Sequence, residues 1–257
     1  LLKCVHSAGL EVRDYVFSPL AASDILLTKR QKELGVMLLD IGAGTTSFMI
    51  FEEGMPIHAG VIPIGGSHIT NDIAIGFRTH VDLAERMKRM HGSCLPLEVS
   101  KREVIRLAEL VGSAQGTDDH DGISLIHDEQ TAYSRKMLAE IIEARLCDIF
   151  ELLQKELKKI GRLELLPSGV VLLGGTSSLP GLVELARREM KLPVEVGVPH
   201  KYIHVIDERT ASQFASVFGV LQWAATHSVQ RNNIDWGGSF ADFPTKKIIQ
   251  WFRSLIP

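Results

Sequence analysis

Two short apolar runs, each ending in a glycine turn, constrain the fold of this chain more than any other feature. Gly35-Val36-Met37-Leu38-Leu39-Asp40-Ile41 runs into Gly42-Ala43-Gly44, and Gly169-Val170-Val171-Leu172-Leu173 runs into Gly174-Gly175. A run of this length without polar alternation suits a strand buried on both faces. The glycines that follow force tight turns. Helical patterns stand between and after the two runs, so an α/β fold is expected.

The first run continues as a meander. Thr45 to Phe51 and Pro56 to Ile64 read as further strands, turning at Glu53-Gly54. Upstream, Glu11 to Phe17 is expected to be a strand broken by Ser18-Pro19, with a short helix from Leu20 to Leu27. Gly65-Gly66 opens a helix with apolar Ile69, Ile73 and Phe77 and with Ser67 as its N-cap. Thr79 is expected to cap a second helix, ended by His91-Gly92. A long helix from about Ser134 to Ile160 carries an apolar stripe that includes Leu138, Ile142, Leu146, Ile149 and Leu153. A helix near Pro180 to Met190, an edge strand from Val194 to Val198 and a last core helix from Ala211 to Ala225 complete the pattern. The expected organisation is a first lobe portion over 1–92, part of a small inserted α/β subdomain over 93–133, and a second lobe portion over 134–226. A polar linker over 227–245 and a terminal amphipathic helix over 246–257 follow.

A net charge of -3 gives no basic field for nucleic acid. Cys4, Cys94 and Cys147 lie far apart without a C-x-x-C pair, which argues for reduced thiols rather than a disulfide framework or zinc site. Leu1 to Leu10 reads as the end of a helix stopped by Gly9. With no initial Met and no signal-peptide pattern, the sequence is expected to be truncated at its N-terminus. No stretch reaches the roughly 18 apolar residues of a membrane-spanning helix.

The glycine turns carry chemistry as well as geometry. Backbone N–H groups in such turns approach phosphate oxygens without a Cβ in the way. Thr45 and Thr46 add hydroxyl donors to the first turn. Asp40, at the end of a buried strand, can hold a hydrated magnesium ion. The second turn leads towards the helix near Pro180 to Met190, whose N-terminus favours anions. Between the turns, Glu85 and Lys88 share a helix face at i,i+3 spacing. The bland alternatives are two structural turns and one solvated surface ion pair.

Taken in order, DIGAGTTSF, IPIGGSHITNDIA, AERMKRMHG and VVLLGGTSSLPGL resemble the second half of the actin-like ATPase superfamily, and within it the cell-division FtsA family. The likeness runs from about Leu1 to Ala225. It implies the C-terminal half of an actin-like, ribonuclease-H-like fold that takes ATP and Mg2+. Asp40, Gly42, Gly44, Thr45 and Thr46 match the second phosphate loop. Glu85 and Lys88 match residues beside the ribose and adenine, and Gly174, Gly175 and Thr176 match the adenosine loop. Two positions depart from the pattern: Ala43 replaces a glycine, and Ser47 stands where an Asp is common. The first phosphate loop belongs to a lobe this sequence does not contain, so no catalytic residue is assigned and no turnover is expected.

The resemblance also implies partners. Asn71, Arg145 and Asp148 match the face expected to receive the C-terminal tail of the tubulin-like protein FtsZ, and self-association into an actin-like polymer is expected. Arg145 and Asp148 alone would read as an exposed i,i+3 pair. Ten histidines raise a metal reading, but Asp118-Asp119-His120-Asp121 reads as a solvated loop, and His200 and His204 lack a third ligand.

The end of the chain is read from its residues. At 100° per residue, Ile248, Ile249, Trp251, Phe252, Leu255 and Ile256 fall on one side. Lys246, Lys247 and Arg253 fall on the other, with Gln250 and Ser254. A wide apolar face flanked by cations suits an anionic membrane surface. The implied role is a division adaptor that anchors FtsZ filaments to the cytoplasmic face of the inner membrane at the septum. The alternatives are an actin-like protein of type IV pilus assembly and a kinase or chaperone-type ATPase of the same superfamily.

Overall fold

A computed structural model describes residues 2–12, 14–106, 132–199 and 211–228. A mixed sheet forms its centre. Strands β1 (Val36–Ile41), β2 (Thr46–Glu52) and β3 (Met55–Ile62) form the expected meander. Strands β6 (Val170–Leu173) and β7 (Val194–Val196) then join on the other side of β1, giving the order β3-β2-β1-β6-β7. The meander pairs are antiparallel, whereas β1–β6 and β6–β7 are parallel.

Every residue of β1 except Asp40 is buried, because helices cover both faces. The period of two splits its side chains between two cores. Met37, Leu39 and Ile41 face helices α4 (Gly66–Phe77), α5 (Val81–His91), α6 (Arg135–Lys159) and α7 (Leu182–Met190). Val36 and Leu38 face α2 (Ser18–Leu26) and α8 (Ala215–Ser228), with Ala22, Leu27 and Ala215 against them. The α6 stripe is the largest covering surface: Leu138, Ile142, Leu146, Ile149, Leu153 and Leu157 are all fully buried. Ser134 caps this helix by accepting from the Met137 N–H at 3.2 Å. Gly161, in the left-handed region at φ 67°, follows its end.

Several expectations are corrected. The described part of 11–17 forms no strand, because the sheet offers it no partner and a lone extended segment gains no ladder bonds. Ser18-Pro19 begins α2 rather than ending an element, with Pro at the first turn where its missing N–H costs nothing. Helix α3 (Lys29–Leu34) was not expected, although Thr28 and Gln31 form a T-x-x-Q capping box ahead of it. Gly65 and His80, not Ser67 and Thr79, stand at the N-caps of α4 and α5. The second glycine turn passes through a 3-10 turn, Gly175–Ser178, that was not expected, before α7 starts at Leu182, close to the expected Pro180. The last core helix begins at Ala215, after a 3-10 turn at Ser212–Phe214, and runs on to Ser228.

Helix α1 (Leu2–Ser7) ends before Gly9, at φ 75°, as the sequence predicts. Strands β4 (Val104–Arg106) and β5 (Ala132–Ser134) pair antiparallel and flank residues 107–131, which lie outside the described residues. The acidic cluster at 118–121, His200 and His204, almost all of the linker and the terminal amphipathic segment lie outside the described residues. Among the described residues, no helix is long and apolar enough to cross a membrane.

Candidate functional site

The first glycine turn is held by the start of α4. Gly66 N–H donates to the Gly42 carbonyl and Ser67 N–H to the Ala43 carbonyl, each at 2.8 Å, while Gly42 N–H donates to the Thr45 carbonyl at 3.0 Å. These bonds turn the loop's carbonyls inward. Among the described residues, the N–H groups of Ala43, Gly44 and Thr45 have no protein acceptor, and all three residues are exposed. A turn whose Gly42, Ala43 and Thr45 carbonyls are bonded within the fold, while, among the described residues, three successive N–H groups have no protein acceptor, has the form of an anion cradle. It requires glycine at Gly65, where a Cβ would stand 2.6 Å from the Gly42 oxygen and 2.7 Å from the Ala43 oxygen. Ala43, which departs from the family pattern, is exposed and is not among the positive-φ residues, so its methyl is accommodated.

The two threonines of the turn separate in role. Thr45 is exposed beside the open amides. Thr46 is fully buried and donates its hydroxyl to the Ile64 carbonyl at 2.8 Å. That proton is committed to the fold, which corrects the expectation of Thr46 as a hydroxyl donor to a ligand.

Parallel pairing sets Asp40 opposite Leu173, so the second turn emerges beside the Asp40 carboxylate. A Cβ on Gly174, which adopts φ 91°, would lie 2.5 Å from Asp40 Oδ1. Only glycine permits both that backbone angle and that approach. Ser216, in the first turn of α8, donates to Asp40 Oδ2 at 2.7 Å. Burial pushes the Asp40 carboxyl above its ordinary value, and the Ser216 hydrogen bond opposes this without cancelling it.

Glu85 and Lys88 do not form a solvated surface pair. Lys88 is buried, and its Nζ lies 2.6 Å from Glu85 Oε2 while donating to Thr70 Oγ1 at 2.7 Å and to the Gly66 carbonyl at 3.1 Å. Thr70 in turn donates to Glu85 Oε2. Burial works to raise the Glu85 pKa. The Lys88 and Thr70 hydrogen bonds, with the charges of Lys88 and Arg89, outweigh it and leave the carboxyl below its ordinary value. Gly66 connects this network to the second turn, since a Cβ there would lie 2.7 Å from Thr176 Oγ1.

Three segments distant in sequence therefore converge: the turn at 42–45, the α5 pair and the turn at 174–176. Sequence reasoning found these and missed Gly65, Gly66, Thr70 and Ser216, which join them. The second glycine of an opening Gly-Gly and a Thr four residues on, one helical turn later, was the available signal for two of the four. Among the described residues, no three His, Cys, Asp or Glu side chains gather as a metal cage. Asp40 is the carboxylate near the end of β1, beside the second glycine turn.

A second constellation lies on another face of α4. Asp72 is two residues beyond Thr70, about 200° round the helix. Arg145 of α6 grips it in a fork, Nε to Oδ2 at 2.6 Å and Nη2 to Oδ1 at 2.9 Å, and also reaches Asp148 at 3.1 Å. The Asp72 hydrogen bonds chiefly, against some desolvation, hold the guanidinium pKa above its ordinary value. Asn71 beside it is exposed, as is Ile75 one turn on, at 75%.

A profile of the family described as Cell division protein FtsA matches residues 37–219. The chain belongs to the FtsA family. It is 38% identical over 256 residues to Cell division protein FtsA of Pseudomonas aeruginosa, covering 99% of this chain and 58% of that protein. It is 37% identical over 228 residues to the Bacillus subtilis protein of the same name, covering 89% of this chain and 47% of that one. The chain thus spans about half the length of these relatives. Among solved structures, MreB5 of Spiroplasma citri bound to ADP superposes with TM-score 0.65 at 18% identity, over 90% of this chain and 66% of that one. The PilM-PilN type IV pilus biogenesis complex superposes with TM-score 0.61 at 20% identity, over 86% and 56%. These likenesses show the actin-like fold. The FtsA match separates the cell-division family from the pilus, kinase and chaperone alternatives.

The lowered Glu85 pKa has a sign that can be checked. A carboxyl depressed in the folded state contributes stability above its unfolded value, near the ordinary 4.5, and that contribution is lost as pH falls through the folded value. Thermal melts across the acid range should show a shallower loss of stability for Glu85→Gln than for the wild type. Identical acid limbs would show that Glu85 carries no such linkage.

Proposed function

We propose that this FtsA-family chain supplies one side of a nucleotide site, joins an actin-like polymer, and links the FtsZ tail to the cytoplasmic face of the inner membrane during division. The convergence of the three segments on one end of the sheet carries the nucleotide part. In this reading the open amides of Ala43, Gly44 and Thr45 take phosphate oxygens, helped by the Thr45 hydroxyl. The donor set fits Mg2+: a single carboxylate beside an anion cradle suits an ion that keeps most of its waters and shares the phosphates, and Asp40 would hold it through water. Bound there, the ion would neutralise phosphate charge. Gly174, Gly175 and Thr176 border the adenosine. Both protein bonds to Glu85 fall on Oε2, which leaves Oε1 for a sugar hydroxyl. Lys88, its three protons directed at Glu85, Thr70 and Gly66, acts by fixing Glu85.

Titration of the 257-residue chain with ADP and Mg2+, followed by NMR, tests this reading. Glu85→Ala should weaken ADP by about tenfold, the loss of one charged hydrogen bond, and leave inorganic pyrophosphate nearly unaffected. Absence of ADP binding by the wild type, or equal ADP affinity in the variant, would remove the nucleotide role.

The α4–α6 face supports the partner part. Exposed Asn71 and Ile75 lie beside the Asp72–Arg145–Asp148 cluster, and Met137 and Ile141 pack near Gly76. An apolar strip bordered by a fixed charge cluster suits an amphipathic tail. Arg145→Glu, which sets a third carboxylate against Asp72 and Asp148, should reduce binding of an FtsZ C-terminal peptide by at least about tenfold in fluorescence anisotropy. Unchanged affinity in a folded variant would exclude this face.

The segment Lys246–Ile256 carries the membrane part through its apolar face and flanking cations. One such segment binds reversibly, and polymerisation multiplies its hold. The wild-type chain should co-sediment with anionic liposomes, and the double variant Trp251→Glu, Phe252→Glu should stay in solution. Equal sedimentation of both would count against the anchor.

A further inference from the structure

The first turn of α8 straddles the ends of β1 and β6. Ser212, just before the helix, accepts the Gly174 N–H on its carbonyl at 3.1 Å, and its Oγ lies 3.1 Å from Ser177 Oγ. Ser177 donates to the Gly174 carbonyl at 2.7 Å. Four residues after Ser212, Ser216 donates to Asp40 Oδ2 at 2.7 Å. One helical turn thus holds both the second glycine turn and the carboxylate of the neighbouring strand. Gly174 closes on the other carboxylate oxygen, Oδ1. The carboxylate is fixed from both sides, and Ser216 supplies the only side-chain hydrogen bond to it among the described residues. Helix α8 is itself locked in place, since a Cβ on Gly219 would lie 2.6 Å from the Ala22 nitrogen of α2. A hydroxyl on so fixed a helix cannot follow the carboxylate if it rotates.

We propose that Ser216 is a positioning residue for the divalent cation of a bound nucleotide. It sets the rotamer in which Asp40 presents its free lone pairs to the cation's water shell, and so makes the first turn of α8 part of the site. The proposal rests on the nucleotide reading above. Hydrogen-bond partners that orient a metal-binding carboxylate matter even without touching the ion, and their removal weakens metal binding by about 10-fold or more.

The test is the ratio of ADP affinities in Mg2+ and in EDTA, measured by titration of the full 257-residue chain. The wild type should bind ADP more tightly with Mg2+, and Asp40→Asn should abolish that increment. Ser216→Ala should shrink the increment by about tenfold while leaving the EDTA affinity near wild type, and Ser216→Thr should restore it. A merely structural role for Ser216 would lower both affinities together. An undiminished increment in Ser216→Ala, or equal losses in Mg2+ and EDTA, would overturn the proposal while leaving the nucleotide reading intact. A wild type that binds no ADP would overturn the reading and the proposal together, and an Asp40→Asn variant that keeps the full increment would overturn the proposal.

Discussion

The parallel pairing of β1 with β6 is the constraint on which the rest of the site depends. Strands that run the same way end at the same edge of a sheet. Asp40 therefore falls opposite Leu173, and the glycine turns that follow each strand emerge side by side. An antiparallel pairing would place them at opposite edges, separated by the length of a strand. Parallel pairing also demands a long crossover, which here contains α4, α5, the β4–β5 pair and α6. The crossover brings Glu85 and Lys88 to the same edge. Ligands of open α/β sheets bind at the carboxyl ends of strands for this reason.

Helix α4 is the second organising element, because its faces serve different neighbours. Its first two residues hold the turn at 42–45, and Thr70 one turn on meets the α5 pair. Asp72, on another face, carries the fork from Arg145. Lys88 shows why the inner network is tight. A buried ammonium costs several kcal/mol unless its protons are satisfied, and here Glu85, Thr70 and the Gly66 carbonyl take all three. Loss of any one partner would leave charge unpaired inside the fold. The first turn is held separately, by the bonds from Gly66 N–H and Ser67 N–H to the Gly42 and Ala43 carbonyls.

Much of the fold was legible because it rests on local pattern. The continuous runs at 36–41 and 170–173, the meander turn at Glu53-Gly54 and the 25-residue α6 each announce themselves by period or by glycine. The strand expected at 11–17 failed for the opposite reason. Alternation is necessary for a half-buried strand, but a strand forms only where another offers its edge. Helix α3 was hidden by its length, since six residues carry no readable period and only the Thr28–Gln31 box marks it. The N-cap expectations at Ser67 and Thr79 followed residue type, whereas the glycine at Gly65 was imposed by the close approach of the neighbouring loop.

The site was legible at its glycines and at its charges, and much less so at the groups that fix them. Asp40 interrupts an apolar run, Gly174 follows one as a turn signal, and Lys88 stands at i,i+3 from Glu85, so they stand out. Ser216, Thr70 and Thr46 are ordinary hydroxyls in ordinary helix and strand positions. What distinguishes them is the partner, 176 residues away for Ser216 and 15 or 18 for the two threonines. Thr46 even misled, since two adjacent threonines after a glycine turn look equivalent in sequence. Strand alternation sends one outward and one into the core, where its hydroxyl must bond to the Ile64 carbonyl or remain unsatisfied. Polar groups of this kind acquire their roles from topology. The physical rule that recovers them is the requirement that each buried hydroxyl find an acceptor, applied after the fold is known.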